Sequence, residues 1–218
     1  MKKYHHERLQ EYIRKLAGCY AIEIKYNQEH NMHYAHYNRI IIMLKKDYKF
    51  YDFEHEFAHL KFLTEEGKIK YLYPLEKHYG NKELFKFSNI LTNIIYDIYV
   101  DSYISANFSI PREYFENKVK IFNEYLNNIQ ETLDLNKKLI KVIKRAIKEY
   151  ILVLNKIIND DLKGSIYLSK NSIRCQRDHI NRYVSQIGLL DDFEWVTYHT
   201  LYIREQKKKG EECANKLA

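Results

Sequence analysis

His55-Glu56-Phe57-Ala58-His59 places two histidines four residues apart around a glutamate. On an α-helix, positions i and i+4 share a face, so both imidazoles can reach one metal ion, and Glu56, directly after the first, can act on a water beside that ion. The reading requires a helix, and the flanking residues supply one. Asp47 is an N-cap candidate, Gly67 a stop, and Phe50, Phe53, Phe57, Leu60 and Leu63 an apolar face between them. A helix from residue 48 to Glu66 is therefore expected, carrying two nitrogen ligands and a general base.

Upstream of it, Tyr20 to Tyr26 alternates and is rich in β-formers, as are His33 to Tyr37 and the run Arg39 to Leu44. These read as two or three strands of a small antiparallel sheet. Residues 3 to 17 place Tyr4, Leu9, Tyr12, Ile13 and Leu16 near helical spacing before Gly18, which predicts a first helix.

Downstream, Gly67 to Gly80, with Pro74, reads as a loop, and Asn81 caps a long helix to Ala106. Pro111 opens another to Gln130. Leu133 to Asp160 carries apolar residues at 139, 143, 146, 150, 153 and 157, a heptad seam, with a second stripe at 140, 147, 151, 154 and 158 that widens the face to that of an internal bundle helix. Gly164 and Gly188 separate two shorter helical segments before a polar tail from Lys207 to Ala218. Scarcity of Gly (6) and Pro (2) agrees with long uninterrupted helices. The fold class expected is α+β, with a core over residues 1–106 and a mainly helical C-terminal region over 107–218 packed on it.

A catalytic zinc ion takes three protein ligands and keeps one position open, so a third donor should come from a separate element. Asn93, Asp97 and Asp101 stand at i, i+4 and i+8 in the otherwise apolar Leu91 to Asp101 segment. Carboxylates on such a face need a cation or hydrogen-bond donors. One division of labour makes Asp97 the third ligand while Asp101, a turn on, orients a ligand histidine and Asn93 supports the group; the ligand role of Asp101 itself is the alternative.

An HExxH helix followed on a later helix by Asp97 and Asp101 resembles the gluzincin zinc metallopeptidases, with Asp97 standing where glutamate is usual. The stretch from His55 to Thr64, together with Asn93 to Asp101, is also similar to metallopeptidases found beside von Willebrand A-type domains, whose second motif has the form NxxxDxxVN. The resemblance covers residues 20 to 106 and implies a zincin-like core of helix, small sheet, active-site helix and third-ligand helix. It also implies a Zn2+ cofactor, peptide-bond hydrolysis with Glu56 as general base, and an edge strand, His33 to Tyr37 or Arg39 to Leu44, that pairs with an extended protein or peptide substrate. Candidates for a donor to the oxyanion are His179, His199 and the tyrosines.

Other features bound the reading. Cys19, Cys175 and Cys213 are odd in number and far apart, which suits free thiols in a reducing compartment and disfavours a structural zinc knuckle. The first residues turn charged at once, and the longest aliphatic run, Ile40 to Leu44, is too short to span a bilayer, so a soluble intracellular (cytoplasmic) protein without membrane partners is expected. His30, His33 and His36 read as rim residues. Lys137, Lys138, Lys141, Lys144, Arg145 and Lys148 run without an intervening acid on the heptad helix. They form its wet face and have the character of a phosphate-tracking surface within a chain of net charge +7. The competing reading of the whole is a non-catalytic binding protein on a zincin scaffold that contacts protein or nucleic acid.

Overall fold

The computed structural model describes residues 21–27, 32–36, 39–65, 68–78, 80–160 and 173–217. The expected first helix, Gly18, Gly67 and Gly164 lie outside these. Within them the protein is mixed α and β and mainly helical, and it forms two compact units.

The first unit comprises the described residues up to 60, then 64–70 and 196–217. It holds strands β1 (Ala21–Asn27), β2 (Met32–His36) and β3 (Arg39–Lys45) in the order β1-β3-β2. β2 and β3 form an antiparallel hairpin, from Met32 opposite Met43 to His36 opposite Arg39, as short connections favour. β1 departs from the antiparallel expectation and runs parallel to β3, from Ala21 opposite Arg39 to Asn27 opposite Lys45. The reason lies in β3, where Ile41 and Ile42 point to opposite faces and are both buried, so this strand suits the centre of the sheet. β1 shows Glu23 and Lys25 to water and suits an edge. β3 is therefore not the edge strand; of the two segments considered for that role, β2 is.

Helix α1 (Phe50–Leu63) follows a turn and is shorter than expected at both ends. Asp47 lies in the turn, whereas Asp52 accepts from the Lys49 N–H at 2.8 Å, reaching back over the first turn as the acidic half of a capping box does. The helix stops at Leu63 because Thr64 and Glu65 form strand β4, opposite Ile69 and Lys68 of β5 (Lys68–Pro74). The expected loop over 67–80 is thus largely a strand, and Lys68-Ile69-Lys70-Tyr71-Leu72-Tyr73 has the alternation that foretells it. Helix α6 (Tyr198–Leu217) packs beside β2 and runs through most of the expected polar tail, whose Lys, Glu, Ala and Leu residues are good helix formers.

The second unit, 61–63 and 71–195, is built on α2 (Lys82–Asn107), α3 (Arg112–Thr132), α4 (Lys137–Ile158) and α5 (Ile173–Ser185). The expected boundary at 106/107 falls inside it. Asn81 caps α2 through its side chain to Leu84 N–H at 3.1 Å, and Asn136 caps α4 through Lys138 and Leu139 N–H at 3.0 and 3.1 Å. α4 packs on both α2 and α3, and α5 packs on α2. The heptad seam of α4 is buried along its whole length, which makes it the internal bundle helix expected. α5 is followed by a turn through Gly188, whose φ of +71° suits glycine, with Leu189 N–H returning to Val184 O at 3.0 Å. After Gly188 a single 3-10 turn (Leu190–Asp192) leads into strand β6 (Phe193–Thr197) rather than into the expected helix, and the strand's aromatic and β-branched residues account for the difference. No described helix is long and apolar enough to cross a membrane.

Ile147, fully buried in α4, and Leu152, 63% exposed on the same helix, separate core from surface. Urea denaturation should show Ile147→Ala losing about 2–5 kcal/mol and Leu152→Ala within about 0.5 kcal/mol of the parent. Equal losses would refute the assigned face of α4.

Candidate metal centre

Seven consecutive residues of α1, from Phe53 to His59, are buried, and four of them are polar: Glu54, His55, Glu56 and His59. A helix that buries nearly two full turns sinks polar groups only where other groups compensate them. One turn of helix brings the His55 and His59 rings to 4.6 Å between centroids, edge to face at 85°. Their Nε2 atoms converge to 3.0 Å. Two zinc–nitrogen bonds of ordinary length at a tetrahedral angle hold their nitrogens about 3.3 Å apart, so this pair fits a zinc ion with a shift of a few tenths of an ångström. The same separation suits one neutral imidazole donating to the other, and neutral imidazole is the form that ligates metal.

Glu56 is buried in the same turn, between the two histidines in sequence. Glu54 was not singled out by the motif, yet it is equally buried, and burial raises its carboxyl pKa to about 7. The HExxH pattern contains no position for it; its signal was only a third acid in the run Asp52, Glu54, Glu56.

The three polar residues of α2 grade from wet to dry over two turns: Asn93 exposed, Asp97 half-buried, Asp101 fully buried. Asp101 sits in a cluster of its own unit. Lys118 Nζ on α3 reaches its two oxygens at 3.1 and 2.9 Å, Tyr150 on α4 donates a short hydrogen bond to Oδ2, and the Tyr114 hydroxyl lies at 3.5 Å from Oδ1. The ammonium also lies 4.8 Å from the Tyr114 ring centre and 3.2 Å from the Tyr150 oxygen. Burial, and after it the Asp101 charge, hold the Tyr150 phenol well above its usual pKa, so it remains a donor. Asp101 is thus engaged by an ammonium and two phenols of its own unit. Sequence reasoning missed Lys118, Tyr114 and Tyr150 because 13 to 49 residues separate them from Asp101. The one hint is Tyr150 itself, a side chain with a polar tip in an aliphatic seam.

His179 lies in a second polar group of the same unit. Its Nε2 meets Glu149 Oε2 at 3.1 Å, Tyr183 donates to that oxygen at 2.6 Å, and the ring packs on Tyr99 and Tyr183. His199 is exposed in the first turn of α6. The side chains of His33 and His36 and the whole of His30 lie outside the described residues. Among the known proteins compared, no family model, no curated protein and no solved structure matches the chain.

The Asp101 cluster makes a direct prediction. Lys118→Met leaves a fully buried carboxylate without its cation and should cost about 3–5 kcal/mol of unfolding free energy in urea titrations. Adding Asp101→Asn should recover part of that loss, and a double variant as unstable as the sum of the singles would show that the pair is not coupled.

Proposed function

We propose that the protein is a zinc-dependent peptidase of gluzincin type with a zincin-like core, in which His55, His59 and Asp97 hold the metal and Glu56 is the general base. The observation that carries the reading is the convergence of the two α1 imidazoles at 3.0 Å with Glu56 buried in the same turn. Two imidazoles and a carboxylate are a donor set that zinc accepts in hydrolytic sites while keeping a position open. Bound there, zinc supplies Lewis acidity that makes water more acidic and draws electrons from a scissile carbonyl.

The chain's own residues do the rest. Glu56 accepts a proton from the attacking water and returns it to the leaving amine, a transfer suited to a carboxylate beside, rather than bound to, the metal. Asp97, one methylene shorter than glutamate, presents its oxygen close to the α2 backbone. The Lys118–Asp101–Tyr150 cluster limits rotation of α2 one turn further on, and so limits where Asp97 can stand. An extended substrate would pair along β2, which leaves side-chain selectivity to other surfaces.

Metal-free protein titrated with zinc should take up one ion per chain. Glu56→Gln should keep that ion and lose cleavage of unfolded casein by about a hundredfold or more, whereas His59→Ala should lose both. Failure of the parent to take up zinc would sink the metal site; a Glu56→Gln variant as active as the parent would sink the peptidase and leave a binding protein on this scaffold.

A further inference from the structure

α4 carries six basic residues in its first twelve positions, and the structure divides them by role. Lys138 Nζ donates to Ile187 O at 2.6 Å, and Arg145 donates to Gln186 Oε1 at 2.6 Å while lying over the Tyr183 ring. These two pin the turn after α5. The other four, Lys137, Lys141, Lys144 and Lys148, make no hydrogen bond or ion pair among the described residues. Three of them are exposed and Lys144 is half-exposed.

Their spacing of four, three and four residues sets them in one stripe about 16 Å long at 1.5 Å per residue. Surface helices usually intersperse acids at i±4 among their lysines; like charges at those spacings cost about 0.2–0.5 kcal/mol per pair. The first turn of α4 holds Lys137 and Lys138 and no acid, against the helix dipole. Two nearby acids are committed: Glu83 accepts from the Asn136 N–H, and Glu149 is held by His179 and Tyr183. Among the described residues the stripe is a line of positive charge with no ion-pair partner, on a helix whose opposite face is fully used in the core.

We propose that this stripe binds the phosphodiester backbone of a nucleic acid. Lysines are point charges suited to phosphates in a row, and the absence of arginine among the four lacks the paired donors that fix a carboxylate. The apolar face of α4 is buried and only Leu152 among its large apolar residues is exposed, so the helix has no continuous apolar surface to insert into a lipid interface. Recognition through backbone charge alone is sequence-independent and salt-dependent. Such a surface would hold the protein on nucleic acid independently of its metal site.

The test is fluorescence anisotropy of the full chain with a labelled mixed-sequence DNA duplex over a series of salt concentrations. Replacing all four lysines (K137Q, K141Q, K144Q, K148Q) should flatten the slope of log Kobs against log salt by about 3.6, four charges at about 0.9 each, and each single change by about 0.9. A control with the same charge loss at exposed Lys82, Lys86, Lys120 and Lys156 should keep the parent slope. Glutamine is a good helix former, so circular dichroism should match the parent in both. An unchanged slope in the stripe variant, an equal effect in the control, or tighter binding to anionic vesicles or polyglutamate than to DNA would overturn the proposal.

Discussion

Asp101 is a carboxylate with no exposure to water, and the second unit is arranged around satisfying it. α2 has apolar residues on nearly every side through its middle, so hydrophobic burial alone would tolerate several rotations of the helix about its axis. A fully buried charge does not. Lys118 from α3 and Tyr150 from α4 must meet it, and only one rotation and one height of α2 bring its oxygens to 2.9 and 3.1 Å from the ammonium. Helix packing supplies most of the stability, while the charge cluster selects the arrangement. Asp97, one turn earlier on the same face, takes its position from that selection.

The first unit poses a similar problem with buried imidazoles. α1 buries two imidazoles and two carboxyls within six residues, from Glu54 to His59. Burial in this stretch pushes the Glu54 carboxyl up to about pKa 7. Buried imidazoles directed at one point resemble a ligand pair more than a packing device, since an aliphatic pair would fill the same volume without desolvation cost. Such a site needs rigid support, and the central strand β3, covered on both faces, supplies a firm layer in the unit that holds α1.

Much of this was legible in the residues. Asn81 acted as the expected cap because its side chain can reach a nearby amide, and the seam of α4 was buried because its period matches the helix; the cap Asn136, which starts that helix four residues later than expected, was not read. The pairing of His55 with His59 followed from helical geometry. What was not legible depended on distant partners or on competing local preferences. Nothing in β1 announces that it lies parallel to β3 rather than forming a hairpin. The alternation of Lys68 to Tyr73 was masked by flanking glycines and by Pro74. Asp101 could be recognised as needing a cation, but Lys118 is one of many lysines and only the fold selects it.

In the proposed site two imidazoles and one carboxylate hold a zinc ion. X-ray absorption at the zinc edge, on protein loaded with one equivalent, measures that most directly. The account predicts four light ligands, nitrogen or oxygen, at about 2.0–2.2 Å, with multiple scattering from two imidazole rings and no sulfur. Sulfur in the first shell, a six-oxygen shell, or a spectrum without imidazole scattering would contradict it.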